Sequence, residues 1–239
     1  MYQALQVLAL IPARDGSKGV PKKNLKLLAG APLIVYSINA GKASRFVDRV
    51  VVSTDSEEIA EVARQCGAEV PFMRPVELAQ DFTPDTPVFA HALTQLRAYE
   101  GYGPDIIVHL RPTGPMRTGV EIDEAIELLV AHPEADSVRS VEEPDKPPYK
   151  MWQTNGEFLK PFAVIADMKD FHTMPRQLLP KVYQTTADIG IMWARTVTEK
   201  KSVIGDKVLA YFLNRPTVDI DKPIDFEFAE ILMRKRKEI

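Results

Sequence analysis

The stretch V-L-A-L-I-P-A-R-D-G-S-K-G-V-P-K-K-N, residues 7–24, changes character partway along. Val7 to Ile11 is a short continuous apolar run, the kind that forms a strand buried on both faces of a parallel sheet. Directly behind it come Gly16 and Gly19, Pro12 and Pro21, and the basic residues Arg14, Lys18, Lys22 and Lys23. A strand that runs into a glycine-bearing turn marks the place where open α/β sheets take ligands, at the carboxyl ends of their strands. Two familiar phosphate loops fail on spacing: residues 16–19 supply neither the dinucleotide G-x-G-x-x-G nor the P-loop G-x-x-x-x-G-K-[ST]. What remains is Arg14, Ser17, Lys18, Lys22, Lys23 and Asn24 around a flexible backbone, suited to the several charges of a triphosphate; the alternative is a solvated basic turn.

Outward from this loop, strand and helix alternate. Pro32 to Ser44 reads as a helix, Arg49 to Ser53 as a strand, and Ser56 to Cys66 as a helix capped near Ser56. Thr86 to Tyr99 and Gly119 to His132 have helical patterns, and between them D-I-I-V-H-L, residues 105–110, is another nearly continuous apolar strand. Such alternation predicts an α/β fold with a mostly parallel sheet covered by helices on both faces. Pro144, Pro147, Pro148, Pro161, Pro175 and Pro180 then break the rhythm, so the region at about 142–187 reads as an excursion from the sheet. Strand-like Ile189 to Trp193 and Val208 to Leu213 follow, then V-D-I-D, residues 218–221, and a closing helix from about Pro223 to Lys235.

The bulk properties narrow the function. A chain of 239 residues suits one domain, here 1–239, with a small appendage. Thirty basic against 33 acidic residues give a formal net charge of -3, which provides no global field for nucleic acid or an anionic membrane. Cys66 is the single cysteine, which excludes an internal disulfide and a Cys-rich metal site and suits a reducing compartment. No apolar run approaches the roughly 20 residues of a bilayer span, and no signal-like segment opens the chain, so a cytoplasmic location is expected. His91, His109, His132 and His172 show no metal-ligand spacing and read as structural or exposed. Asp219 and Asp221 alternate with Val218 and Ile220, so on an extended strand both carboxylates face one side, an arrangement suited to a magnesium ion bridging phosphate oxygens. Alternatively Asp221 caps the helix that begins near Pro223.

Residues 14–24, R-D-G-S-K-G-V-P-K-K-N, resemble the R-x-G-S-K-x-[IV]-P-x-K-N signature of the acylneuraminate cytidylyltransferase family, which makes CMP-activated sialic acids and related nonulosonates. V-V-V-S-T-D (50–55), G-A-E-V-P-F-M-R-P-V-E-L-A (67–79), P-T-G-P-M-R-T (112–118), P-R-Q-L-L-P-K-V-Y (175–183) and V-D-I-D look like further family motifs in the same order, so the resemblance spans nearly the whole chain. It implies a Rossmann-like nucleotidyltransferase sheet, a homodimer built on the proline-punctuated arm, and attack by a sugar hydroxyl on the α-phosphate of CTP with loss of pyrophosphate. Arg14, Lys23 and Asp221 are the implied catalytic residues, with Mg2+ held by Asp219 and Asp221. Ser17, Lys18 and Asn24 complete the phosphate cradle, and Arg74 and Thr83 contact the nucleotide, although Arg74 as an exposed side chain equally suits a pair with Glu77. Arg111, Thr113, Arg117, Arg176 and Gln177 are the implied substrate-binding residues.

Three departures bear on the substrates. Arg111 stands where sialic-acid enzymes carry a glutamine, which adds a permanent charge and five donors; either it meets the acceptor or it pairs with an acid of its own fold. Q-D-F-T-P-D-T (80–86) replaces a serine-rich run, and T-T-A-D-I-G-I-M-W (185–193) replaces N-G-A-I-Y-I. The main reading is cytidylyl transfer from CTP to a nine-carbon 2-keto sugar acid. Its rivals are an acceptor that is an eight-carbon keto acid or a sugar 1-phosphate, and a non-catalytic nucleotide-binding protein.

Overall fold

In a computed structural model that describes residue 2 and residues 4–237, the apolar run forms β1 (Val7–Pro12) at the heart of a six-stranded sheet. In chain order come the short pair β2 (Leu27–Leu28) and β3 (Ala31–Pro32), then α1 (Leu33–Ala43), β4 (Arg49–Ser53), α2 (Glu57–Gln65), α3 (Asp85–Glu100), β5 (Ile106–His109), α4 (Gly119–Ala131) and β6 (Ser137–Glu142). A hairpin, β7 (Trp152–Asn155) and β8 (Phe158–Pro161), precedes β9 (Gln184–Trp193), α5 (Ala194–Thr198), β10 (Val208–Phe212) and α6 (Pro223–Lys237). The sheet order is β10-β6-β9-β5-β1-β4. β1 is parallel to both β4 and β5, and β9 runs antiparallel to β5.

The period of two along β1 explains why helices cover both faces. Val7, Ala9 and Ile11 enter one core with Ile34 and Ile38 of α1, Ile59 of α2 and Ile122 and Ile126 of α4. Leu8 and Leu10 enter the other with Phe89 and Leu96 of α3 and Val197 of α5. A strand with no polar face is stable only between two such layers. Helix ends follow their sequence signals: the Ser56 hydroxyl accepts from the Ile59 N–H, and Thr118 with Glu121 forms a capping box at the start of α4.

V-D-I-D differs from its expectation as a strand, because residues 218–221 join no ladder. They are an extended segment whose Val218 and Ile220 are buried while Asp219 and Asp221 face outward, so the alternation survives without a sheet. The Ile220 N–H instead donates to the Thr113 carbonyl at 2.9 Å.

Residues 141–185 form a compact unit separate from the one made by residues 1–140 and 186–239. Within it, β7 and β8 pair antiparallel around a turn with Gly156 at φ +63°, and Val141, Phe171 and Leu179 are among its buried apolar residues. Phe158, Leu159, Val164 and Leu178 of this unit are exposed.

One buried acid ties α4 to the end of α1. The Asp123 carboxylate accepts from the Ser44 hydroxyl at 2.6 Å, from the Arg45 N–H at 3.1 Å and from Arg45 Nε at 2.9 Å. Asp123 is 1% exposed, whereas the Arg45 side chain lies in solvent. Asp123→Ala leaves the hydroxyl and the backbone N–H without their acceptor and is expected to cost about 2–4 kcal/mol of stability. A thermal melt should fall clearly for Asp123→Ala and far less for Arg45→Ala; equal falls would place the stability in the exposed ion pair instead.

Candidate active site

The carboxyl end of β1 opens into a cleft of about 340 Å³. The glycine-bearing loop forms one wall. Arg14, Ser17, Lys18, Lys23 and Asn24 all line it, and the Asn24 side chain donates to the Arg14 carbonyl at 2.8 Å, which holds the loop's two ends together. The loop is tied to the turn after β4 as well, where the Asp55 carboxylate accepts from the Asp15 N–H at 3.0 Å. Lys22 and Lys23 separate physically. Lys22 has a left-handed backbone, φ 49°, and sends its ammonium out to Glu58 at 2.5 Å, which raises its pKa. Lys23 turns inward, with a side chain only 13% exposed, and donates to the Ile220 carbonyl at 2.7 Å and to Asp221 at 2.9 Å.

Asp221 faces this lysine across the cleft because the backbones meet. A Cβ on Gly19 would lie 2.2 Å from the Asp221 carbonyl oxygen, so only glycine permits the approach. The capping duty at the start of α6 falls to Asp225, whose carboxylate accepts from the N–H groups of Asp221 and Lys222 at 2.8 and 2.7 Å. That leaves the Asp221 carboxylate to the cleft. Asp219 does not line the cleft; it is exposed, yet desolvation by the surrounding protein raises its carboxyl above the usual range, with the Thr113 hydroxyl acting against the rise and the Asp221 charge adding to it.

The opposite wall comes from the segment between β4 and α3 and from the loop after β5. Arg74, Thr83 and Asp85 line it, as do Arg111 and Thr113. Arg74 is neither exposed nor paired with Glu77: it is 5% exposed, and its guanidinium donates to the Ser53 hydroxyl at 3.1 Å and to the Ser53 carbonyl. Burial brings its pKa down to about 10. Arg111 makes the pair with an acid of its own fold, to Asp85 at 2.8 Å, while its side chain stays 41% exposed toward the cleft. Burial acts to raise the Asp85 carboxyl, but the surrounding His109, Arg111 and Arg139 prevail and hold it below the usual carboxylate range.

Arg117 stands apart from the expected substrate-binding set. It is buried, does not line this cleft, and donates to the Ser37 hydroxyl at 2.6 Å and to the carbonyls of Arg111, Ala187 and Asp188. Its guanidinium braces the loop that carries Arg111 and Thr113. Arg176 and Gln177 belong to the 141–185 unit, where they line a separate pocket of about 300 Å³, and Arg176 donates to the Pro144 carbonyl at 3.3 Å.

Two acids at this site, Asp81 and Asp85, are absent from the residues expected of it. Asp85 reads in sequence as part of a helix start, and Asp81 as one polar residue among turn formers. Yet Asp81 bridges the cradle, 3.0 Å from Arg14 and 2.6 Å from Lys18. The Lys18 ammonium first, and Arg14 with it, hold the Asp81 carboxyl below its ordinary value.

A basic glycine loop at a strand end, faced by a carboxylate and set in a parallel sheet, defines an α/β enzyme of the nucleotidyltransferase class. A family model described as cytidylyltransferase matches residues 8–149, and the chain belongs to that family. It is 34% identical, over 98% of its length and 99% of the other protein, to CMP-N,N'-diacetyllegionaminic acid synthase of Legionella pneumophila. It is also 30% identical over 97% of its length to N-acylneuraminate cytidylyltransferase of Escherichia coli, of which it spans 53%. Among solved structures, CMP:2-keto-3-deoxy-manno-octonic acid synthetase complexed with CTP superposes with a TM-score of 0.70 over 97% of this chain and 99% of that one, at 14% identity, a likeness of fold.

The Asp81 bridge generates a prediction for nucleotide binding. A carboxylate that already occupies Arg14 and Lys18 competes with an incoming phosphate for the same donors. Asp81→Asn is therefore expected to tighten CTP binding by a few-fold in isothermal titration and to steepen its loss with added salt. Weaker binding would mean that Asp81 shapes the cradle for the nucleotide and does not compete with it.

Proposed function

We propose that this cytidylyltransferase moves the cytidylyl group of CTP onto a nonulosonic, sialic-acid-like 2-keto sugar acid, with magnesium, as a cytoplasmic homodimer. The observation that carries the reading is one cleft in which Lys23 and Asp221 meet beside a basic wall of Arg14 and Lys18 while Arg111 and Thr113 line the other side. The names of the Legionella and Escherichia relatives, both of sugar-acid enzymes, support the acceptor class.

In this reading the acceptor's hydroxyl oxygen attacks the α-phosphorus of CTP. The new bond is oxygen to phosphorus, the broken one joins the α-phosphorus to the bridging oxygen of pyrophosphate, and the hydroxyl proton leaves to solvent or a nearby carboxylate. Catalysis of such transfer is mainly positioning and neutralisation of charge on the phosphate oxygens. Arg14, Ser17, Lys18 and Asn24 orient the triphosphate, and Lys23 supplies positive charge at the α-phosphate and the leaving group. Arg74 and Thr83 face the nucleoside. Among the described residues no three His, Cys, Asp or Glu side chains gather as a metal site, so the fit rests on Asp221, which lines the cleft with an exposed carboxylate paired to Lys23, and on Asp219 two residues before it; these two would hold the ion. A magnesium ion held there would supply further neutralisation of phosphate charge.

Other features support the remaining parts of the proposal. The apolar side chains exposed on the 141–185 unit suit burial against a second copy. The free thiol of Cys66 fits a reducing compartment. Among the described residues, no helix is long and apolar enough to cross a membrane.

Lys23→Ala is expected to lower turnover by about 100-fold, the loss of roughly 3 kcal/mol of transition-state stabilisation, whereas Lys22→Ala should have little effect because its charge is turned toward Glu58. Pyrophosphate release should stop in excess chelator, and Asp221→Asn should remain folded but lose most activity; full turnover without divalent metal would remove the metal from the proposal. Light scattering should report a dimer for the parent and a monomer for Phe158→Glu with Leu159→Glu, and a monomeric parent would refute the assembly.

A further inference from the structure

On the face of the sheet that carries α3, three neighbouring strands bring Arg139 of β6, Gly190 of β9 and His109 of β5 into one row. His109 pairs directly with Gly190. The missing side chain between them matters, because a Cβ on Gly190 would lie 2.1 Å from Nη1 of Arg139 and 3.5 Å from the Cβ of His109. The Arg139 guanidinium therefore lies across the glycine toward the imidazole.

Both residues are almost fully buried, yet neither ring nitrogen of His109 nor Nε of Arg139 has a hydrogen-bond partner. Phe89 meets the imidazole edge-on at 4.6 Å. Buried polar groups left in this way point to a demand that the surrounding polar cluster answers. Phe89 stands about one helical turn along α3 from Asp85, the first residue of that helix, which lines the cleft, and the buried Arg139 charge favours the Asp85 carboxylate. Asp85 in turn holds Arg111, the cleft residue that stands in place of an amide.

We infer that Asp85 is a specificity-determining residue that clamps Arg111 and cancels its charge, so that the pair reads a neutral hydrogen-bonding substituent of the sugar acid, a hydroxyl or acylamino group, and not its carboxylate. Arg139 and His109 are positioning residues that hold Asp85 from beneath. An arginine without a counter-charge recognises a carboxylate or phosphate bidentately. One already paired with a carboxylate presents its remaining N–H donors beside an acceptor oxygen, which suits a neutral group with both donor and acceptor character. The inference rests on the proposed transfer to a nonulosonic acid.

Asp85→Asn keeps the volume and releases Arg111 from its counter-charge. With two nonulosonic acids that differ only in hydroxyl against acylamino at one carbon, the variant should raise the acceptor KM by about tenfold and compress the preference between them, with the CTP Kd within about twofold of the parent. Inorganic phosphate should become an inhibitor competitive with the acceptor, and adding Arg111→Gln should abolish that inhibition. His109→Gln and Arg139→Lys should raise the acceptor KM in the parent but add nothing to Asp85→Asn, which a merely structural role would not produce. Additive effects overturn the positioning role. A matching loss of CTP affinity, or an unchanged acceptor preference with no phosphate inhibition, overturns the role of Asp85. A parent that forms no CMP-sugar from any nonulosonic acid fails the underlying proposal, and this inference with it.

Discussion

Lys23 and Asp221 are 198 residues apart in sequence and 2.9 Å apart in space, and the active cleft exists only because that contact closes. Three features enforce it. Gly19 lets the loop's backbone come against Asp221, the Ile220 N–H anchors the extended segment on the Thr113 carbonyl, and Asp225 takes over the start of α6. None of them touches a phosphate, yet each sets where the ammonium and the carboxylate stand. Because catalysis of phosphoryl-type transfer is mostly placement of charge, a shift of an ångström in this closure bears directly on rate.

The same constraint shapes the electrostatics. A cleft that gathers Arg14, Lys18, Lys23 and Arg111 concentrates positive charge at one strand end, which is unfavourable in a chain with no ligand to neutralise it. The fold answers with Asp81 against Arg14 and Lys18, Asp221 against Lys23, and Asp85 against Arg111. The three carboxylates differ in setting. Asp81 lies on an exposed segment outside any helix or strand, whereas Asp85 is the first residue of α3 and its carboxylate is favoured by the buried Arg139 charge.

How much of this was legible in the sequence depends on which physical signal each residue carries. V-L-A-L-I-P and D-I-I-V-H-L announce themselves because a strand buried on both faces has no polar alternation, and Ser56 and the Thr118–Glu121 pair mark helix starts by local chemistry. V-D-I-D has the alternation of a strand, but pairing with a neighbour is a property of the tertiary fold, and here a single bond to Thr113 replaces the ladder. The depth of Arg74 and Arg117 was likewise invisible. Both are basic residues in loop-like stretches, and only the packed fold shows that Ser53 and a ring of carbonyls take up their donors. Asp81 and Asp85 carry no sequence signal beyond turn and helix-start composition, since their significance lies in partners 67 and 26 residues away.

The internal ion pairs also bear on turnover. Nucleotide and pyrophosphate both carry several negative charges, and a cradle of unopposed cations would bind the product as firmly as the substrate, which lowers KM without raising kcat. A carboxylate on a neighbouring exposed segment opposes both ground states by the same competition, while in the proposed transfer the positive charge of Lys23 would act where charge builds up in the transition state. In the proposed transfer the Asp81 carboxylate, paired with Arg14 and Lys18, would compete with departing pyrophosphate for the same donors as it does with the incoming nucleotide. The cleft divides its basic residues between Lys23, half-enclosed and paired with Asp221, and Arg14 and Lys18, which share the carboxylate of an exposed Asp81, and that division would let the proposed transfer combine charge stabilisation with release.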